Sequence, residues 1–476
     1  MSKSYDLIVI GAGTSGMACA TEAAKRGLSV CVIEKSDKIG GSLYWSGGHM
    51  SAGGTQLQKR LGIEDSPQEH YRDILRITKG TGDQDLIQLA VEEAPRTIDW
   101  LDENGFEFAP EAPRIIYGHI PYTKARTHYG IDKAMSIFKV MKTLWDEQSE
   151  NIDLFLQHPI MGINQKNDRW SSVVCSSFEG QLVFYADHIV FATGGYGSNI
   201  EYFNMKHKDT PLMSSTFPTS TGDGHMLLEK LNGVFRMADL HIPSIGGIEL
   251  DVGSGVCDFN NAWAMVLTSV YRRPRDIYVN SSGNRFMNED EANPDIRERA
   301  VMKQEGWKFW IIFDESALME RDEQGNENPI VIGWDTARIK KEAENQKAIF
   351  SSETIDGLAQ MTKLPLEQLQ KTIDQYNTCV ENKKDPVFKR EYLENKIEEG
   401  PYYAILVYAS VLVTFGGMQV NKDLKVINQD GDVENGLYAA GEILGLGATS
   451  GNAFCSGMAI TPALSFGRVL GKNLGK

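Results

Sequence analysis

The densest run of acid–base side chains in the chain is Tyr117-Gly118-His119-Ile120-Pro121-Tyr122-Thr123-Lys124-Ala125-Arg126-Thr127-His128-Tyr129. Three tyrosines, two histidines, one arginine and one lysine fall within these 13 residues. A tyrosine can donate a proton, a histidine can shuttle one near neutral pH, and an arginine can hold an anionic oxygen. Gly118 and Pro121 mark the run as a loop, an element that often carries function. Tyr117, His119, Tyr122 and Arg126 are therefore expected at a substrate, with Tyr122 the first choice as proton carrier. A second basic cluster, Tyr271-Arg272-Arg273-Pro274-Arg275, lies farther along. No spacing of His, Cys, Asp and Glu suggests a metal site.

Such a loop needs a scaffold, and the first 34 residues supply one. The apolar run Leu7-Ile8-Val9-Ile10 leads into Gly11-Ala12-Gly13-Thr14-Ser15-Gly16, then an Ala-rich helical segment, then Val30-Cys31-Val32-Ile33 closed by Glu34. This strand–glycines–helix–strand–acid order is the dinucleotide-binding fingerprint in full context. Gly11 allows the tight turn, Gly13 lets backbone approach a pyrophosphate, and Gly16 lets the helix pack closely on the sheet. Thr14 and Ser15 open the helix, where free N–H groups and the helix dipole attract phosphate. Glu34 lies where a carboxylate accepts hydrogen bonds from a ribose diol.

Composition bounds the rest. The chain has 476 residues, 41% hydrophobic and 24% charged, ordinary for a globular protein of two or three domains. Its formal net charge of −16 argues against non-specific binding to nucleic acid or anionic lipid. No apolar run approaches the roughly 18 residues of a membrane span. The N-terminus enters the nucleotide fold almost at once and leaves no room for a signal peptide. Six cysteines without CxxC spacing read as buried free thiols in a reducing compartment. The expected location is cytoplasmic.

Further glycines choose the dinucleotide. Lys35 is followed by Gly40-Gly41-Ser42, Ser46-Gly47-Gly48 and Gly53-Gly54. A later strand ends in Ala192-Thr193-Gly194-Gly195, and Leu437-Tyr438-Ala439-Ala440-Gly441-Glu442 stands near the C-terminus. Together these pieces resemble flavoproteins of the glutathione-reductase-like FAD fold. Residues 273–289, RPRDIYVNSSGNRFMNE, with Thr414-Phe415-Gly416-Gly417 and Phe466-Gly467-Arg468, narrow the match. They resemble the family of soluble fumarate reductases, succinate dehydrogenase flavoproteins, urocanate reductases and 3-ketosteroid dehydrogenases.

The resemblance implies an α/β, glutathione-reductase-like FAD-binding fold with an inserted α+β capping domain. The FAD-binding domain would occupy 1–236 and 413–476, and the cap 237–412. Segment 364–382 has Leu366, Leu369, Ile373 and Tyr376 at helical spacing, whereas the charged run 383–400 reads as a surface connection. FAD would be bound non-covalently through Gly11, Gly13, Thr14, Ser15, Gly16, Glu34, Lys35, Gly41, Ser42, Ser46, Gly47, Gly48, Ala192, Thr193, Gly194, Gly416, Gly441 and Glu442. His49 lies near the expected flavin ring but does not match the motif of covalent attachment.

The family's substrate residues do not all carry over. The catalytic Arg of the fumarate reductases falls on Asn293, their relay Glu on Ser269, a pocket His on Val413 and the clamp Arg on Phe454. Only the relay Arg is matched, by Arg272. A dicarboxylate would then lie without paired charges, which is costly when desolvated. The run Phe454-Cys455-Ser456-Gly457 looks more like the ketosteroid dehydrogenases, in which a Gly N–H and a Tyr hold the ketone oxygen. Gly457 and Ser456 match, and the Tyr does not. His241 lies near a family pocket histidine, one residue out of register. The expectation is an FAD-dependent oxidoreductase acting on a CH–CH bond next to a carbonyl, desaturating a ketone or reducing an enone. The alternative is a reductase of a small unsaturated carboxylate, clamped by Arg126 and Arg272. Electrons would pass to or from an external partner, because no second nucleotide fingerprint or haem motif is present.

Overall fold

The computed structural model describes residues 2–178, 180–208, 210–319 and 329–475. Leu7, Ile8, Val9 and Ile10 are buried because the strand Ser2–Ile10 runs through the middle of an eight-stranded sheet. It pairs in parallel with Val30–Ile33 on one side and Gly180–Phe191 on the other. Ile152–Phe155 extends the sheet beyond Val30–Ile33. Val433–Ala439 and then Lys425–Ile427 extend it beyond Gly180–Phe191. The hairpin Ile160–Lys166 and Arg169–Ser177 joins the first half of Gly180–Phe191. Continuous rather than alternating apolar runs are what a parallel strand covered on both faces requires.

Two helices cover one face at close range. Thr14–Ala24 packs on the C-terminal helix Ile460–Asn473. A side chain at Gly467 or Gly471 would strike the carbonyl oxygens of Ser15 or Cys19, so small residues one turn apart set the helix separation. Arg468 closes the contact, with Nε 2.7 Å from buried Glu22 and its guanidinium over Trp100.

A second sheet is antiparallel throughout and lies between these elements in the chain. Its order is Ser244–Gly247, Tyr402–Ser410, Lys308–Asp314, Ile277–Val279, with Ile349–Ser352 also beside Tyr402–Ser410. Alternation divides its core: Phe309, Ile311 and Phe313 point to one side, Trp310 and Ile312 to the other. The predicted helix forms over Leu366–Glu381 and presents Leu369, Ile373 and Tyr376 to the second side.

The charged run 383–400 departs from expectation. Asp385, Arg390, Leu393 and Ile397 are buried. The Arg390 guanidinium donates to the carbonyls of Asp276 and Pro274 and stands over the Tyr376 ring. Interior carbonyls and carboxylates at the edge of the second sheet need cationic partners, and this strap brings one back to them.

Short pairings tie the parts together. Phe235–Arg236 pairs with Gly417–Met418, and Met50–Ser51 with Thr127–His128. All six cysteines are free, five of them buried. Among the described residues no helix is long and apolar enough to cross a membrane.

Candidate active site

A cleft opens where the strands Ser2–Ile10, Val30–Ile33 and Gly180–Phe191 end. That is the place where parallel α/β sheets bind ligands. The three fingerprint glycines do different work there. A Cβ on Gly16 would collide with the Gly11 carbonyl oxygen, and one on Gly11 with that of Ala192. A Cβ on Gly13 would meet nothing within 4 Å, because it faces the cleft. The helix beginning at Thr14 has no side-chain cap and no acid in its first turn, so its leading N–H groups are free for an anion.

Gly11, Gly13, Thr14, Ser15, Glu34, Lys35, Gly41 and Ser42 line this cleft from the N-terminal segment. Ala192, Thr193, Gly194, Gly441 and Glu442 line it from the two later motifs. Ser15 Oγ and Thr193 Oγ1 are buried without a hydrogen-bond partner. Two orphaned hydroxyls in a cleft fit a polar ligand that supplies the missing partners. The Glu34 carboxylate accepts from the N–H groups of Ala12 and Ser36, both at 2.8 Å, which holds it at the cleft wall. Lys35 Nζ bridges to Asp223 at 2.8 Å and to Thr221. Thr219, Ser220 and Asp223 also line the cleft.

Glu442 Oε1 accepts from the N–H and hydroxyl of Thr414, at 2.9 and 3.0 Å, and so ties the two C-terminal motifs together. Burial raises its carboxyl above the usual range against those hydrogen bonds.

Several of the other residues expected at the cofactor are not on the wall of this cleft. Gly16 packs beneath the glycine turn, Gly48 against the helix Ala134–Asp146, and Gly416 against Phe235 and Tyr196. Ser46 and Gly47 are not on the cleft wall, and Ser46 Oγ caps the N–H of Gly48 instead. Gly16, Gly48 and Gly416 serve close packing around the cleft, whereas a Cβ on Gly47 would meet nothing within 4 Å.

At its other end the cleft meets an apolar seam beneath the second sheet. Val413 and Leu446 line the cleft and belong to one cluster with Ile242, Phe415, Leu240, Met302 and Phe454. Phe454 packs edge-on to Phe415 and stacks on His119 with centroids 5.1 Å apart. His241 stacks on Trp307 and meets Phe415 edge-on, and both its ring nitrogens are buried without partners. Burial and the nearby His49 lower His119 to about 4, and burial lowers His241 to about 3. Both rings are neutral at pH 7. His49 packs on the Tyr129 ring.

The 117–129 loop divides on inspection. His119 reaches the seam, with Nδ1 buried and unpartnered. Arg126 does not: it is fully buried, its Nε and Nη2 grip Asp65 at 2.7 and 2.8 Å, and its Nη1 grips Asp73. A guanidinium committed to two carboxylates cannot clamp a substrate. Tyr122 is buried, and its hydroxyl donates to the Ser456 carbonyl at 2.8 Å, so it is not a free acid. Tyr117 is 39% exposed, and its N–H donates to the Tyr271 hydroxyl on the surface.

Tyr122 and Thr127 both hold Ser456, in the run Phe454-Cys455-Ser456-Gly457. Ser456 Oγ lies 3.0 Å from Thr127 Oγ1. Gly457, at φ +76°, passes so close to Met50 and Ser51 that a side chain would collide with their backbone. Arg272 is buried and pairs with Asp276 at 2.8 Å, leaving Nε and Nη1 without partners. Glu298 is a buried acid that no sequence motif marks; it sits in the charged helix Pro294–Val301. No group of three or more His, Cys, Asp or Glu able to hold a metal occurs among the described residues.

Comparison with known proteins agrees with the cradle. A family model described as FAD binding domain matches residues 6–458. A probable fumarate reductase of Shewanella frigidimarina is 26% identical over the whole chain and 75% of its own length. A urocanate reductase of Eggerthella lenta is 28% identical over 99% of the chain and 75% of its own length. Among solved structures, the 3-ketosteroid Δ1-dehydrogenase of Sterolibacterium denitrificans superposes with a TM-score of 0.80 and covers 99% of both chains. At 20% identity that likeness shows the fold. The glycine cradle, the orphaned hydroxyls and the match along nearly the whole chain together place this protein in the FAD-binding family, as an FAD-dependent oxidoreductase.

Proposed function

We propose that the protein acts on the CH–CH bond next to a carbonyl of an apolar, ring-bearing substrate, reducing an enone or desaturating the ketone. One observation carries the reading. Val413 and Phe454, at positions where the resembled reductases hold a histidine and an arginine, stand in a single apolar cluster, of which Val413 and Leu446 line the cleft. A dicarboxylate moved there would lose hydration without gaining paired charges, whereas a flat apolar ring would bury against Phe454, Phe415 and His119. In this reading the second sheet is the cap, over residues 237–412, and the remainder is the glutathione-reductase-like FAD domain.

FAD supplies the hydride chemistry when bound. The chain's own residues hold it non-covalently: the leading N–H groups of the helix Thr14–Ala24 take the pyrophosphate, Glu34 the ribose, and Ser15 and Thr193 use their orphaned hydroxyls. The Gly457 N–H donates to the substrate oxygen in the manner of an oxyanion hole. Neutral His119 supplies a hydrogen bond at the ring. Its low pKa makes it a poor proton donor at pH 7. Electrons reach or leave the protein through an external partner.

The test uses holoenzyme. Cyclic enones and ketones are expected to perturb the flavin absorption band, and enones to reoxidise the reduced enzyme, while fumarate and succinate are expected to leave the band unchanged. Rapid fumarate turnover would overturn the reading. Acid precipitation releases the flavin into the supernatant if attachment is non-covalent. The second reading, a small unsaturated carboxylate, is favoured by the unpartnered Nε and Nη1 of Arg272, and fumarate turnover lost in Arg272→Met would establish it.

A further inference from the structure

Glu298 is 2% exposed, and its Oε1 is buried with no hydrogen-bond partner among the described residues. A buried acid without a partner is costly and calls for an explanation. The surroundings favour the neutral form. Burial and the nearby Asp295 hold its carboxyl well above the usual carboxylate range, opposed only by Arg299. Arg299 itself pairs with Asp295 at 3.0 Å. A neutral, unpartnered carboxyl is an O–H donor lacking an acceptor.

Its helix places it at the seam. At about 100° per residue, Val301 and Met302 flank Glu298 one turn on. Val301 packs into the core of the second sheet. Met302 packs against Ile242, Phe415 and Leu446, with Val413 and Phe454 in the same cluster. The next side chain, Arg299, donates to the Asn452 carbonyl at 2.9 Å, two residues before Phe454. The helix therefore directs position 298 between the core of the second sheet and the apolar cluster of Met302, Phe415 and Phe454, two of whose members, Val413 and Leu446, line the cleft.

We propose that Glu298 is the acid of the reaction, giving its proton to the substrate carbon adjacent to the carbonyl during reduction and recovering it during desaturation. The inference rests on the CH–CH reading above, but not on whether the substrate is an enone or a carboxylate. In reduction one hydride from the reduced cofactor adds to the β-carbon and one proton from Glu298 adds to the α-carbon. The C=C π bond breaks, two C–H bonds form, and the Glu298 carboxylate regains a proton from water. The assignment fills a gap, since Asn293 replaces the reductases' arginine, Tyr122 is committed to Ser456, and His119 is neutral.

The experiment is Glu298→Gln, which preserves shape and removes the proton. Reoxidation of the reduced holoenzyme, by whichever unsaturated compound wild type turns over fastest, is expected to slow by about 100- to 10,000-fold with flavin content unchanged. Difference infrared spectra of the oxidised holoenzyme at neutral pH are expected to show a protonated carboxyl band that Glu298→Gln lacks. Cyclohexenone should shift the band as the O–H gains an acceptor. A rate within about threefold of wild type overturns the proposal. So does absence of the band, or a band that stays fixed while cyclohexenone perturbs the flavin. If wild type prefers a carboxylate, the substrate reading falls while the Glu298→Gln ratio still decides the acid. If Glu298→Gln fails to hold flavin, Glu298→Asp and the wild-type infrared band decide it.

Discussion

The nucleotide end of the cleft is built around backbone: the turn at Gly11 and Gly13, the uncapped helix start at Thr14, the bend at Gly441. At the seam it is side chains that gather: Val413 and Leu446 on the cleft wall, with Phe415, Phe454 and His119 packed behind them. A pyrophosphate is the same in every dinucleotide enzyme, so its cradle can be built from fixed backbone geometry. A substrate differs between enzymes, so its pocket is written in exchangeable side chains on a common scaffold. The same contrast separates what holds the cofactor from what selects the chemistry.

The sharpest way to break that contrast is within the cradle itself. Gly13→Val places its branches in the cleft and meets no protein atom within 4 Å of the new Cβ. Gly16→Val drives a side chain into the Gly11 carbonyl. The first variant is expected to fold and purify as apoprotein, its circular dichroism matching wild-type apoprotein. The second is expected to be insoluble, losing more than about 4 kcal/mol, the range reached by severe overpacking and strain. Gly13→Val retaining full flavin, or Gly16→Val folding normally, would contradict the division of labour between the glycines.

Legibility in the sequence followed the same line. The strand, the glycines, the helix and Glu34 were readable because each meets a backbone requirement that few residue types satisfy. Ala192-Thr193-Gly194 and Gly441-Glu442 were readable for the same reason, and they line one cleft with the fingerprint. Gly48 and Gly416 are also needed for close packing, a requirement that looks, in sequence, like a glycine needed for a ligand. In the loop, residue type showed the chemistry available but not where it would be spent. Arg126 and Tyr122 carry suitable groups, yet buried partners 53 and 334 positions away consume them. Glu298 escaped notice because Asp-Ile-Arg-Glu-Arg reads as a solvated helical face, and only tertiary packing closes over the fourth residue.

Arg126 offers the next test. If it were a substrate clamp, removing it would impair turnover and spare the fold. As the cation of a buried triad with Asp65 and Asp73, it should do the reverse. Arg126→Met leaves two interior carboxylates unpaired and is expected to cost about 3–5 kcal/mol, the cost of breaking a buried ion pair. Urea unfolding of the apoprotein measures this. A variant as stable as wild type, with turnover of the enone abolished, would restore Arg126 to the substrate.

Tyr122 gives the smallest effect and the finest distinction. Its hydroxyl donates to the Ser456 carbonyl, and the ring lies edge-on to His70 within the core. Tyr122→Phe keeps the ring and deletes one hydrogen bond, leaving a buried carbonyl unsatisfied at a cost of about 1–3 kcal/mol. A proton donor in its place would predict a rate loss of about 100-fold or more with stability nearly intact. A tyrosine that holds the Ser456–Gly457 turn predicts a lower unfolding midpoint and a rate change of only a few-fold, expressed in KM. The loss of Tyr122 loosens the backbone that presents the Gly457 N–H, while the proton still comes from elsewhere. Measured on one variant, the midpoint and the rate point in opposite directions under the two roles, so a single preparation decides whether the seam uses this side chain as chemistry or as support.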